Sequence, residues 1–203
     1  MSAPAPNETV AYACKWGVRR FDEEATRFLA ERIGREPLGI DFDAAHIAPY
    51  LETEVEKNIV TNVGLTRMTN RIVGVTAQPM TGPTGTPANT TRIGVGVGTT
   101  PAETRTDTDL AAAAGAANRQ FVLLDSGFPA IAVGVITLQA TFGGTLANFA
   151  WNEFGIDIAD TAPSAAGTTV VTPGILFNHR VGIAQGTKVS GQTWVASSTI
   201  TIA

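Results

Sequence analysis

The feature that most constrains this chain is the strict alternation of side chains in its last ten residues. In an extended chain one face would carry Trp194, Ala196, Ser198, Ile200 and Ile202, and the other would carry Val195, Ser197, Thr199 and Thr201. Such a strand has one mostly apolar face and one largely hydroxylated face. It must pack on an existing sheet, because a lone strand or hairpin is marginally stable in water. The alternation therefore predicts an antiparallel β domain.

Short apolar runs separated by Gly, Pro, Ser and Thr extend this prediction over the C-terminal part of the chain. About seven such runs at this spacing are typical of a β-sandwich. The longest, Ile131 to Phe142, is apolar on both faces and is predicted to be one strand at the centre of the sandwich. In the range 93–98, Ile or Val alternates with Gly, which predicts a strand with one bare face that another group can approach closely. The glycine spacing does not predict a phosphate site, because Thr99, Thr100 and Pro101 follow instead of a helix.

Charge is distributed unevenly and suggests two parts. Residues 1–75 contain nine Lys or Arg and eleven Asp or Glu, whereas residues 76–203 contain five and seven. We therefore predict an N-terminal arm and helical attachment segment over 1–75, a linker rich in Pro, Gly and Thr over 76–90, and a β-sandwich domain over 91–203. The fold class expected is mainly β with a small α part, an antiparallel β-sandwich preceded by a helical segment.

Two helices are predicted in the N-terminal part. Asp22 can cap a helix that ends at Gly34, where a left-handed residue is expected. A second helix is predicted between Asn58 and Gly74, although Gly64 weakens it.

The overall composition excludes several classes of partner. A net charge of -4 argues against nucleic acid, because such binders concentrate Lys and Arg to neutralise phosphates. No stretch approaches the twenty or so apolar residues of a membrane span. Cys14 is the only cysteine, so neither an internal disulfide nor a thiolate metal cage is expected.

Two groups of polar residues are candidate sites, one for a metal ion and one for catalysis. Asp41, Asp43 and His46 have a spacing that could surround a metal ion, but no fourth ligand follows at a recognisable distance, and turn capping is the favoured interpretation. Glu153 and Asp157 could form a carboxylate pair for glycoside hydrolysis with His179 as a base. The chain has no G-x-S-x-G, H-E-x-x-H or P-loop motif, so we predict no catalytic residue, no metal and no cofactor.

Several motifs resemble those of virion structural proteins of tailed bacteriophages. They are the segment from Asn58 to Leu65, the segment from Ile93 to Thr104 with Asp107, Asp109 and Leu110, and further on Phe149 to Ile156 and Lys188 to Trp194. The resemblance covers about residues 58–203. It implies a non-enzymatic component on the exterior of a phage particle, as head decoration, neck or tail fibre. It carries no catalytic residue with it.

This interpretation implies that the chain is made in the bacterial cytoplasm and ends in the virion. Its expected partners are other virion proteins and copies of itself, with a trimer as the expected order by resemblance. Assembly is predicted to use the N-terminal segment through Trp16, Phe28, Leu29 and Ile33. Deletion of residues 1–57 is then expected to abolish incorporation and to leave the β domain folded.

The alternative hypothesis is a receptor-binding or glycan-binding module. Trp16, Trp151 and Trp194 could stack on sugar rings, with Trp151 and Trp194 as the main candidates. A host surface glycan would then be the partner. The competing interpretation is that both tryptophans anchor the core, because each alternates with small residues.

Overall fold

The computed structural model describes residues 12–72, 91–158, 169–170 and 173–202. Most of the predicted N-terminal arm, residues 1–11, and the whole predicted linker over 76–90 lie outside this part of the chain. The helices are α1 (Glu23–Ile33), α2 (Gly39–Ala44) and α3 (Asn62–Ile72). The strands are β1 (Tyr12–Phe21), β2 (Leu51–Glu56), β3 (Ile59–Val60), β4 (Thr91–Gly96), β5 (Arg119–Leu123), β6 (Ala130–Ala132), β7 (Val135–Phe142), β8 (Glu153–Ile158), β9 (Thr169–Val170), β10 (Leu176–Val181) and β11 (Thr193–Ile202).

The strands form two antiparallel sheets. One sheet has the order β2-β1-β11-β7-β6, and the other has the order β3-β10-β8-β4-β5-β9. The largest apolar cluster draws on both sheets, as expected when two sheets pack face to face. The prediction of a mainly β chain built as an antiparallel sandwich is confirmed. The helices do not precede the sandwich, however, because α1 and α2 follow β1 and α3 follows β3.

The first described strand belongs to the sandwich. β1 pairs with β11 over ten consecutive residue pairs, from Tyr12 opposite Ile202 to Phe21 opposite Thr193. On its other side β1 pairs with β2. The predicted boundary at residue 75 is therefore wrong for these strands. Deletion of residues 1–57 would remove two strands of one sheet, so the remaining chain is not expected to keep the fold.

Aromatic side chains fill the space between the sheets. Trp16 from β1 stacks on Phe154 from β8 with their ring centroids 4.7 Å apart. Trp151 meets Trp194 edge to face at 4.9 Å. All three tryptophans are almost fully buried. Pairs of this kind add roughly 0.5–1.5 kcal/mol to the stabilisation that burial itself gives.

The predicted single strand from Ile131 to Phe142 is in fact a hairpin. Gly134 has a φ of 70°, in the left-handed region that favours glycine, and it turns the chain between β6 and β7. β7 is paired on both sides, whereas β6 forms the edge of its sheet. Apolar content alone could not distinguish a central strand from an exposed hairpin arm.

The two predicted helices form, and each has a clear reason to begin or end where it does. The Asp22 carboxylate accepts a hydrogen bond from the Ala25 amide at 2.8 Å, and Gly34 closes α1 with a φ of 72°. Leu29 of α1 and Phe42 of α2 pack with Phe21 and Val195, on the side of the sheet that faces away from the main core. This contact explains why Val195 is buried although it lies on the hydroxylated face of β11.

Helix α3 packs against β10. Gly64, the residue that weakened the prediction of this helix, lies against the backbone of Phe177, where a Cβ would overlap that backbone. The Thr61 hydroxyl accepts a hydrogen bond from the Gly64 amide at 3.0 Å. Among the helices of the described ranges, none has the length and hydrophobicity needed to cross a membrane.

The bare face of the glycine-containing strand is occupied as predicted. A Cβ at Gly94 would overlap the ring of Phe121, and a Cβ at Gly96 would overlap the carboxylate of Glu153. Phe121 also packs with Leu110 and Leu176 in a small apolar cluster. The glycines therefore allow an aromatic ring and a carboxylate to approach the backbone of the sheet closely.

We predict that Gly94→Ala lowers the free energy of unfolding by about 1–3 kcal/mol, because the added methyl group forces the Phe121 ring off its place. Chemical denaturation monitored by tryptophan fluorescence measures this change. Gly144→Ala is the matched control, since its Cβ would meet only ordinary contacts of 3.4 Å or more. Equal stability of the two variants would contradict this account of the strand.

Candidate functional site

The most concentrated group of ionisable side chains lies on the outer face of the six-stranded sheet. It consists of Asp107, Glu153 and His179, which we call the polar cluster. Glu153 comes from β8 and His179 from β10, which are paired neighbours in the sheet. Asp107 comes from the segment between β4 and β5, which lies over this face. The exposed fractions of Glu153 and His179 are 0% and 2%.

Glu153 binds the covering segment through backbone amides. Its Oε1 accepts hydrogen bonds from Gly98 at 3.1 Å and from Ala112 at 2.8 Å, and its Oε2 accepts one from Ala111 at 2.7 Å. Three amides converging on one carboxylate form the kind of anion-binding concavity that could otherwise hold a ligand. Here the chain's own carboxylate fills it.

His179 lies between the two carboxylates of the cluster. Its Nε2 is 3.0 Å from Glu153 Oε2, and its Nδ1 is 2.7 Å from Asp107 Oδ2. Burial alone would lower the pKa of His179, but the hydrogen bonds and charges of Glu153 and Asp107 outweigh it, so the pKa is raised above its ordinary value. The contacts with Glu153 and Asp107 therefore favour the charged form of the imidazole, which bridges the strand and the loop.

The two carboxylates show the opposite shift. Burial would raise the pKa of Glu153, yet the hydrogen bonds from His179, Ala112 and Ala111 hold it below its ordinary value. The pKa of Asp107 is also lowered, because hydrogen bonds from Thr104 and His179 outweigh its burial. All three groups are thus stabilised in their ionised forms.

Further ion pairs lie on the same sheet. Arg92 Nη1 is 2.9 Å from Asp157 Oδ2, and both side chains are buried. Arg119 Nη2 is 2.7 Å from Asp109, and Arg180 Nη1 is 2.5 Å from Glu103. Glu103, Asp107 and Asp109 all belong to the segment between β4 and β5, so this segment is attached to the sheet by three charged contacts.

Glu153 and Asp157, the predicted carboxylate pair, have different binding partners in the structure. Glu153 is bound to His179 and to backbone amides, whereas Asp157 is bound to Arg92 and to the amides of Gly174 and Ile175. The structure does bring His179 to Glu153, and it adds Asp107. A shallow depression of about 320 Å³ lies above the cluster, lined in part by Thr106, Asp107 and His179.

The predicted Asp41, Asp43 and His46 group is separated by its contacts. Asp41 pairs with Arg35 at 2.7 Å and accepts a hydrogen bond from the Leu38 amide, whereas Asp43 pairs with Arg19. His46 is exposed and has a positive φ of 54°. Within the described ranges, no three His, Cys, Asp or Glu side chains are placed to hold a metal ion.

The residues predicted for assembly or stacking are mostly interior. Trp16 and Leu29 are buried, with exposed fractions of 0% and 2%, so the prediction that they contact other copies is wrong for the folded chain. Ile33 is half-buried, and only Phe28 is well exposed. The alternative prediction for Trp151 and Trp194 is also wrong, because both rings are core anchors with no face open to a sugar.

An exposed apolar surface lies elsewhere, at the edge of the five-stranded sheet. We call the segment 130–135 the apolar hairpin; it comprises β6, the turn at 133–134 and the first residue of β7. Val133 is fully exposed, and the exposed fraction of Ile131 is 77%. Beside it an apolar cavity of about 250 Å³ opens between the ends of the sheets, lined by residues that include Ile131, Ile136, Ile158 and Ile202. The apolar run from Ile131 to Phe142 contains this surface, but the prediction of one central strand places it in the core.

Comparisons with family models, with curated proteins and with solved structures found no match. The resemblance to phage structural proteins therefore stays a prediction that rests on the motifs alone.

The polar cluster predicts a specific pH dependence of stability. Because the folded-state pKa of His179 is raised, its contribution is complete below the ordinary histidine pKa of 6.5 and is lost as pH rises through the folded-state value. The lowered pKa values of Glu153 and Asp107 make their contribution complete above the ordinary values of 4.5 and 3.8, and it is lost as pH falls. The cluster should stabilise most between these limits.

We expect His179→Gln to lower the free energy of unfolding by about 3 kcal/mol at pH 6, because it leaves buried carboxylates without a cationic partner. The difference between wild type and variant should shrink as pH is raised from 6 to 8. Urea denaturation at a series of pH values measures it, and titratable groups that do not contact His179 cancel in the difference. A difference that is constant with pH would contradict a charged His179.

Proposed function

We propose that this protein is a non-enzymatic structural component of a tailed-phage particle that assembles as an oligomer on the particle's exterior. The observation that carries the proposal is the apolar hairpin. Ile131 of the edge strand β6 and Val133 of the turn that follows it are exposed to solvent, and an exposed edge with apolar side chains can readily pair with another chain. The predicted role in head decoration, neck or tail fibre follows from the motif resemblance.

The occupant proposed for the hairpin is the same hairpin of other copies. The segment from Ala130 to Val133 is exposed, so neighbouring copies can cover it, and a contact of this kind suits the ring of three copies that the resemblance implies. The adjoining cavity is almost wholly apolar, so its burial would strengthen such a contact. The proposed attachment surface is therefore the hairpin and not the predicted N-terminal segment. Of the four residues predicted for assembly, Phe28 is the well-exposed one.

The burial and hydrogen bonds of the charged residues support a structural role. The carboxylates that could act in catalysis, Glu153 and Asp157, are both buried and hydrogen-bonded to the sheet and its covering loops. Groups that must exchange protons with a substrate need a partner site within reach. These carboxylates instead attach the segments 97–118 and 173–175 to the sheet.

We predict that the purified chain has about three times its monomer mass of 21.1 kDa and that the double variant Ile131→Asp, Val133→Asp is a monomer. The added carboxylates would be buried without partners in the assembly but stay solvated in the free chain. Light scattering coupled to size exclusion measures the mass. Val189→Asp is the matched control, because Val189 is also an exposed valine but lies outside the hairpin. A wild-type monomer at high concentration would contradict the proposal.

The particle location has its own test. Gold-labelled antibody against the chain should decorate intact particles of the phage that encodes it. A chain found only in the lysate and never on particles would exclude the virion role, whatever its oligomeric state.

A further inference from the structure

Lys188 is a buried lysine whose contacts do not include a carboxylate among the described residues. The exposed fraction of its side chain is 0%, and its Nζ donates to the Gly143 carbonyl at 2.7 Å and to Asn148 Oδ1 at 2.8 Å. A buried ammonium normally has an anionic partner. Burial, which is opposed only by the charge of Glu36, lowers the pKa of Lys188 to about 8. A considerable fraction of the amine is then neutral and nucleophilic under mildly basic conditions.

The backbone holds Lys188 and Asn148 side by side. The Lys188 amide donates to the Phe149 carbonyl at 3.1 Å, and an antiparallel bridge joins Ala150 to Thr187. The Asn148 side-chain amide donates to the Gly144 carbonyl at 3.1 Å, which fixes its orientation. The Asn148 carbonyl carbon is about 1.2 Å from the oxygen that Nζ already contacts, so a small rotation brings the amine to it.

We propose that Lys188 and Asn148 form an intramolecular isopeptide bond. The neutral Nζ adds to the side-chain carbonyl carbon of Asn148 and gives a tetrahedral intermediate. The bond from that carbon to Nδ2 then breaks, Nδ2 leaves as ammonia, and the carbonyl re-forms. One amine hydrogen is transferred to the leaving nitrogen, so no oxidant, reductant or co-reactant is needed. Asn148 is exposed, which gives the ammonia a path to solvent.

Glu36 is the carboxylate whose charge acts on Lys188, and it lies beside the residues that hold the pair. Its Oε1 accepts a hydrogen bond from the Gly144 amide at 2.7 Å, and its carboxylate lies against Gly143, the residue whose carbonyl binds Nζ. A carboxylate at this position can take a proton from the attacking amine and return it to the leaving group. In the proposed reaction Glu36 has the role of general base and then of general acid, once its carboxylate reaches the amine.

The bond would join the loop before β8 to the loop before β11. These loops lie forty residues apart in sequence, and β11 is the strand that pairs with both β1 and β7. A covalent link at this end would hold the central strand of one sheet to the other sheet. Such a link suits a protein that has to remain folded outside a cell.

Mass spectrometry of the full chain after incubation at pH 9 tests the proposal. We expect the intact mass to be lower than that of the unmodified chain by one ammonia. Trypsin should fail to cleave after Lys188, and a branched peptide should appear that joins residues 120–180 to residues 181–203. An intact mass without this loss, or an ammonia loss without the branched peptide, would overturn the proposal.

Two variants separate the roles of the residues. Asn148→Ala should show neither the loss nor the branch, and the exposed position of Asn148 makes it a mild substitution. Glu36→Gln keeps an oxygen for the Gly144 amide but cannot carry the proton, so the bond should form about 100-fold more slowly. Formation at the wild-type rate in Glu36→Gln would remove Glu36 from the mechanism.

Discussion

The pairing of β1 with β11 is the constraint on which the rest of the structure depends. Ten residue pairs align the first described strand with the last, and they place Trp16 and Trp194 inside the same core. Because these strands are separated by almost the whole chain, their pairing is a contact of very high sequence separation, of the kind that slows folding. Helices α1 and α2 then cover the outer side of this sheet, and the apolar hairpin is left at its free edge.

Most charged residues that the structure describes in the second half of the chain are bound within the fold. Glu153, His179 and Asp107 join β8, β10 and the long covering segment, and the glycines of β4 leave the space that the Glu153 carboxylate occupies. A fully hydrogen-bonded polar group of this kind can specify one arrangement of a loop, whereas a half-satisfied one would be costly. The charged groups are thus bound within the chain, whereas the apolar hairpin is exposed. This contrast supports the proposed contact of the hairpin with other copies.

Local patterns in the sequence predicted the elements that depend on neighbouring residues. Asp22 and Gly34 bound α1 as capping rules require, the alternation in β11 matches its burial from Ala196 to Thr201, and the bare face of β4 is filled by Phe121 and Glu153. The pairing of β1 could not be predicted, because its alternating run was too short to distinguish a strand from an arm. Contacts between distant residues, such as His179 with Asp107 and Lys188 with Asn148, leave no local signal at all.

Hydrogen exchange followed by mass spectrometry at low and high protein concentration tests the central claim most directly. The account predicts that amides of the apolar hairpin exchange rapidly in dilute protein and become protected at high concentration, where copies cover them. Amides of the segment that Glu153 binds should exchange slowly in both conditions, because their hydrogen bonds lie within each chain. Protection of the hairpin that does not change with concentration, or protection that grows only elsewhere, would contradict the account.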